Sequence, residues 1–387
     1  MPTHSKKPSL FVMLVFVGIY VFAWMLQTRV SINYDVGWLL DVTGRMMNGG
    51  VYVRDFFEVD PPGILYLYSP AVFMSRFLHL PIALSFQFYV FFLASLSLLI
   101  NYALLQKIAA GDRFLLNALL LVTTCVFLLF PVYEFGQKEH LLIILVTPYL
   151  FLVALRSQCG DDRVTKFAIS SSLCVLIGTM AGLGFCIKPY YFTTPFLVEG
   201  YYLYCKKNKY AWMRVETSLI FFVLAVYSVA LLTFHQNYLR IELPLLWRYF
   251  YPSVSGSLAF LLKNSIAFYG YFPLLFFTLH YRDIRHRALA WVLALSLCGF
   301  LITYLMQHTN WYYHLLPVLS FATILFVVVL YDAGFASSKQ SSWGRAFDWM
   351  FLLVFLGSWY FIVDFPSEIT LITPLFLCEL PLILVLH

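Results

Sequence analysis

Apolar residues in this chain run on rather than recur. Stretches without Asp, Glu, Lys or Arg cover 9–28, 77–106, 114–133, 167–187, 217–239, 264–281 and 288–331, and each reaches the roughly 17 to 25 residues a helix needs to cross a bilayer core. The last is long enough for two crossings, and Gln307, His308, Thr309 and Asn310 interrupt it near its middle, so it predicts two spans joined by a turn. Shorter runs at 140–155, at 189–205 with Glu199 inside, at 349–363 and at 369–387 with Glu379 inside fill the gaps. The pattern predicts an all-α, polytopic membrane protein with roughly ten to twelve spanning helices. Residues 64–73 follow Pro61, Pro62 and Gly63 and closely precede Arg76; that run is too short for a full span and predicts a surface-lying or re-entrant helix.

Composition agrees with a chain whose main solvent is lipid: 61% of the 387 residues are apolar and 11% charged, where soluble domains carry about a quarter charged. The first apolar run follows Lys6 and Lys7, exceeds a signal-peptide core and lacks a small-x-small cleavage site, which predicts an uncleaved first helix. The seven cysteines are scattered without a C-x-x-C pair, so neither a zinc site nor a disulfide framework is implied. A net charge of +6 serves topology first in a membrane protein, and nucleic-acid binding is not indicated.

With the N-terminus in the cytoplasm, Lys206, Lys207, Lys209 and Arg214 fall in one inner connection and Arg282, Arg285 and Arg287 in another, as the positive-inside rule requires. The outer side then receives 31–62, 133–140, the turn at Lys188, 236–263 and 307–313. No internal repeat or low-complexity tract interrupts residues 1–387, which read as one transmembrane domain. Within it, 31–81 form the first extracytoplasmic loop and surface helices, 332–345 form a Gly/Ser-rich linker, and no soluble domain is expected after the last helix.

The outer segments collect the chemistry. The first loop holds Asp35, Asp41, Arg45, Arg54, Asp55, Glu58 and Asp60, more charge than spanning a membrane requires. Asp35, near Trp38 at the membrane surface, is a candidate base for a hydroxyl proton. The structural alternative is that Asp35 caps an amphipathic helix whose Leu39, Leu40, Val42, Met46 and Met47 lie on the membrane. In the turn 134–140, Lys138 and His140 can face an anionic group, since a helix N-terminus adds unpaired N–H donors; alternatively the turn is a helix cap with Glu139 favouring the dipole. Lys188, just before Pro189 on the same side, strengthens the anion reading, against which stands simple snorkelling. Gln307, Trp311, Tyr313 and His314 bring together an amide, an imidazole and aromatic rings that suit a sugar ring or a lipid headgroup, although interfacial aromatic belts use the same residues.

With these residues in order, the chain resembles the bacterial membrane glycosyltransferases of the GT-C class, in the branch similar to dolichyl-phosphate-mannose protein mannosyltransferases, over most of its length. Tyr34-Asp35-x-Gly37-Trp38, then Gly49-Gly50-x-Tyr52-x-Arg54-Asp55-Phe56-Phe57-Glu58 leading to Pro61-Pro62-Gly63, looks like that family's first outer loop. Gly136-Gln137-Lys138-Glu139-His140, Lys188-Pro189-Tyr190, and Gln307 through Trp311 to Tyr313-His314-x-x-Pro317 look like elements of bacterial members with uncharacterised substrates.

The resemblance implies a multi-pass protein of the bacterial inner membrane whose site faces the exterior. It implies a polyprenyl-phosphate-linked sugar as donor and an extracytoplasmic glycan, lipid or protein as acceptor, with no metal or cofactor. It gives Asp35 the role of base in an inverting transfer, with Arg54, Glu58, Asp60, Lys138, His140, Lys188, Gln307, Trp311, Tyr313 and His314 as substrate-binding candidates. Many relatives carry a Lys just before the paired prolines that can meet the donor phosphate. This chain has Asp60 there, so Lys138, Lys188 or Arg54 must supply the contact. Two other readings compete: a lipid-linked sugar flippase or other transporter, for which intramembrane Glu199 and Glu379 suit a transport path, and a glycan polymerase or ligase centred on 236–263 with Arg240, Glu242 and Arg248.

Overall fold

The computed structural model describes residues 10–158, 169–263, 265–309 and 311–335; the runs expected at 349–363 and 369–387, most of the linker at 332–345, Asn310, Cys159 and Cys378 lie outside the described residues. Within them, apolar sequence becomes helix because lipid offers no partner for a backbone N–H or C=O, so each segment must satisfy its own. The helices are α1 (Leu10–Arg29), α2 (Tyr34–Met47), α3 (Gly63–Leu78), α4 (Ile82–Ile108), α5 (Arg113–Leu128), α6 (Lys138–Ser157), α7 (Ser171–Phe185), α8 (Thr193–Lys206), α9 (Val215–Phe234), α10 (Ser265–His280), α11 (Arg287–Gln307) and α12 (Tyr312–Leu330).

Among the described residues six helices, α1, α4, α6, α9, α11 and α12, are long and apolar enough to cross a membrane, and α5 and α7 are shorter apolar helices. The protein is therefore an all-α integral membrane protein. Several expected spans come out shorter than the apolar run that predicted them: α5 has 16 residues, α7 has 15 and α10 has 16, and Pro189–Phe192 forms a 3₁₀ turn ahead of α8. The interruption at 307–310 does divide two helices, with His308 in the left-handed region (φ 54°) closing α11.

Burial ranks the helices. Of their spanning stretches, 94% in α6 and 89% in α12 is buried against 11% in α9, so α6 and α12 form the centre and α9 turns its side chains outward. A helix that is apolar all round and enclosed all round is the expected form of a central span. α7 holds α9 close because it offers Gly178 and Gly182, where a Cβ would come within 2.6 Å of the Glu216 carbonyl oxygen and 2.8 Å of Val223 Cβ, the small-residue packing that substitutes for hydrophobic drive in lipid.

The connections before α2, α3, α6, α8, α10 and α12 meet at one end of the bundle, tied by hydrogen bonds such as Asn33 to Glu134, Gly63 to Tyr227 and Lys188 to Gln307. This is the grouping that alternating sides predict. Three details differ from expectation. The cap of α2 is Asn33, whose side chain accepts the Asp35 N–H at 2.8 Å, so Asp35 is left free of that duty. Leu39, Leu40 and Val42 are buried where α2 packs on α3, rather than lying on a membrane surface. The expected outer loop at 236–263 is largely helical, with wide π turns at Tyr238–Glu242 and Leu246–Phe250.

Candidate functional site

The site is built on the turn ahead of α6. Gly136 takes φ +82° there, and a Cβ at this position would sit 2.2 Å from the Phe86 ring, so both backbone conformation and space require glycine. His140, one turn into the helix, accepts the Gly136 N–H on Nδ1 at 2.8 Å and donates from Nε2 to the Phe127 carbonyl at 2.7 Å. Both ring nitrogens are thus committed to backbone, and the ring is fully buried. The expectation that His140 faces an anion is corrected: it braces the turn that aims Gln137, Lys138 and Glu139 inward.

Those three residues meet distant parts of the chain. Lys138 Nζ lies 2.5 Å from Asp60 Oδ2 and 5.4 Å from the centre of the Tyr313 ring, a cation–π distance. Glu139 Oε1 accepts from Lys188 Nζ and from the Tyr191 hydroxyl, both at 2.8 Å. Lys188 also donates to Gln307 Oε1 at 3.0 Å and to His314 Nε2 at 3.3 Å, which leaves the His314 hydrogen on Nδ1, toward Thr309 Oγ1 at 2.6 Å. Gln137 Nε2 donates to Asn33 Oδ1 at 3.0 Å and to Asp35 Oδ2 at 3.3 Å, while Asn33 Nδ2 donates to Glu134 at 2.9 Å. Lys138, Lys188, Glu139 and His314 are buried; Asp35 is half-buried. Trp311, partly exposed, stacks on Tyr313 with centroids 5.7 Å apart. Arg54 does not join them, since its exposed guanidinium bonds its neighbour Asp55 at 2.8 Å.

Glu58 and Asp60 form the second half of the charge pattern. The Glu58 N–H donates to Glu242 Oε1 at 2.5 Å, and Glu58 Oε1 accepts the Asp60 N–H at 2.8 Å. Burial first, and the Asp60 charge second, push the Glu58 carboxyl up to about 8, so it holds a proton at neutral pH. Burial also acts to raise Asp60, but the charges of Lys138 and Lys188 and the Lys138 hydrogen bond outweigh it and hold Asp60 below the usual range. Burial, then Glu139 and Asp35, push Glu134 up to about 7, and burial pushes Glu242 to about 7. Each buried lysine therefore faces one carboxylate, and the surplus carboxyls nearby are able to carry protons.

Among the described residues, Gln137 Oε1, Glu139 Oε2, Glu242 Oε2 and Gln307 Nε2 are buried without a hydrogen-bond partner. Such an atom costs about 1–3 kcal/mol. Gln137, Glu139 and Gln307 share one form: one arm of each is tied into the lysine–carboxylate network and the other arm is open. Open acceptors and an open donor beside two cations and a half-exposed carboxylate can hold a ligand that carries hydroxyl groups together with an anion.

Asn33, Glu134, Gln137, Glu139, Tyr191, Glu242 and Thr309 were not singled out as substrate ligands from sequence. The available signal was polarity where spans begin, as in 134–140. Comparison with protein-family models, with curated proteins and with solved structures finds no match to this chain.

Proposed function

We propose that this protein is an inverting glycosyltransferase that moves a sugar from a polyprenyl-phosphate donor to an extracytoplasmic acceptor, in a bacterial inner membrane with the N-terminus cytoplasmic. The observation that carries the reading is the trio of half-tied side chains, Glu139 and Gln307 on Lys188 and Gln137 on Asp35. A sugar supplies hydroxyls for the open arms. Its lipid phosphate supplies the anion for which Lys138 and Lys188 can exchange their carboxylates, and burial makes that exchange energetically large.

In the reaction the acceptor oxygen forms a bond to the anomeric carbon as the carbon–phosphate oxygen bond breaks. Asp35 takes the acceptor proton, and polyprenyl phosphate departs with the electron pair, its charge met by the lysines. Glu58, protonated at neutral pH, keeps the Glu58–Asp60 pair at a single negative charge, so that it does not repel the incoming phosphate. The competing transporter reading rests on Glu199 and Glu379; Glu199 is held by Arg214 and by the Tyr149 hydroxyl at 2.5 Å, and Glu379 lies outside the described residues.

The test is release of radiolabelled sugar from polyprenyl-phosphate donors by the purified protein in lipid, wild type against Asp35→Asn. Loss of turnover by roughly 10²-fold or more in the variant is expected. Full turnover in Asp35→Asn would remove the base assignment, and donor binding without turnover in either protein, across several acceptors, would replace the transferase with a transporter.

A further inference from the structure

At the end of the bundle opposite the site, a cavity of about 960 Å³ opens between α8 and α11, within or near the roughly 300–1,000 Å³ of ordinary ligand sites. Helical spacing builds its walls: Leu197, Tyr201 and Tyr204 of α8 stand about a turn apart and line it together with Trp291 and Leu295 of α11. The Tyr201 and Trp291 rings stack across it with centroids 6.1 Å apart.

Its polar rim carries Arg285 and Arg287, both exposed. Arg287 is steadied there by bonds from Nε to the Ile284 carbonyl at 3.3 Å and from Nη2 to the Arg282 carbonyl at 3.0 Å. The same rim is the N-terminus of α11, where the first N–H groups lack helical partners and the dipole favours an anion. The carboxylate beside it, Asp332, is buried and already engaged by His286, accepting its N–H at 2.9 Å and lying 3.0 Å from Nδ1.

Apolar and aromatic walls under a rim of two guanidinium groups fit one ligand chemistry, a phosphate ester carrying acyl chains, and basic pockets between spanning helices take anionic headgroups. We propose that this cavity binds the headgroup of an anionic phospholipid, its phosphate at Arg285 and Arg287 and its chains along the groove between α8 and α11. The site is separate from the proposed transfer centre, and neither depends on the other.

The test titrates delipidated full-length protein in detergent with phosphatidylglycerol, phosphatidylcholine and glycerol 1-phosphate, counting bound molecules by native mass spectrometry. Phosphatidylglycerol binding should weaken roughly tenfold or more in Arg285→Gln/Arg287→Gln. It should stay within about twofold in Lys206→Gln/Lys209→Gln, which removes the same charge from the same end outside the cavity. If the arginine variant does not fold, Leu197→Trp, which narrows the groove between the aromatic walls and keeps its charge, must also weaken phosphatidylglycerol binding. Equal weakening by both charge variants, no weakening in Leu197→Trp, or phosphatidylcholine binding as tightly would overturn the proposal. Glycerol 1-phosphate matching the lipid would make the phosphate ester alone the ligand and overturn the lipid assignment.

Discussion

The protein holds two clusters of two cations and two carboxylates, one at each end of the bundle, and they are built differently. In the far cluster Arg156 lies 2.9 Å from Glu216, Arg214 lies 3.3 Å from Glu216 and also pairs with Glu199, and the Arg214 guanidinium stacks 3.9 Å over the Tyr202 ring. All its members stand on or just before helices α6, α8 and α9. Its atoms without a well-aligned hydrogen bond mostly face each other across those ion-pair distances. In the site the cations are lysines, and the unbonded Gln137 Oε1 and Gln307 Nε2 belong to neutral amides that no ion pair compensates. Arg fixes geometry through a planar fork, whereas Lys is a compact charge on a flexible stem. The comparison separates a cluster suited to locking helices from one suited to exchanging partners.

The largest effect should come from breaking the locked cluster. Glu216→Ala leaves half-buried Arg156 without its carboxylate and buried Arg214 with Glu199 alone, and should cost at most about 3–5 kcal/mol of stability, read by unfolding in mixed micelles, with turnover per folded molecule unchanged; a selective loss of turnover would erase the distinction between the ends. Lys188→Met, which also takes the cation from the buried Glu139 carboxylate, should instead lower turnover per folded molecule by roughly 10²-fold. Gln307→Leu removes an open buried amide, so the donor KM should rise by about tenfold while stability holds or improves; an unchanged KM would show that the open arm meets no substrate.

The remaining test is in pH. The folded chain keeps the Glu58 proton up to about 8, where the unfolded chain releases it near 4.5. The stability it confers is therefore complete below 4.5 and lost as pH rises through 8. Glu134 and Glu242, raised to about 7, act in the same direction. The unfolding midpoint should fall between about pH 5 and about pH 9, and less steeply in Glu58→Gln, which has no proton to lose; parallel slopes would place the titration elsewhere.

The membrane class was legible because uninterrupted apolar runs carry it locally, and the gathering of polar turns at one end followed from alternating sides. Pair identities were not legible. Glu58 meets Glu242 across 184 residues and Lys188 meets His314 across 126, and nothing in either local sequence names the partner. Asn33 and Asp35 both fit a helix start; the Asp35 N–H bond to Asn33 shows which one caps, and Gln137 shows that the other is presented to the site. The role of His140 is illegible for a related reason: an imidazole beside a lysine looks like half of an anion clamp, and only the fold brings Gly136 and Phe127 to its two nitrogens.

The order of the site residues along the chain also bears on how a ribosome delivers them. Asp60 is made 78 residues before Lys138, and Glu139 is made 49 residues before Lys188, so each lysine leaves the translocon after the acid that receives it. Gln307 and His314 come last, flanking the turn into α12. A nascent chain stalled before that turn carries paired charges that spare the bilayer an orphan cation, yet it still lacks the Gln307 amide and the His314 imidazole that meet Lys188.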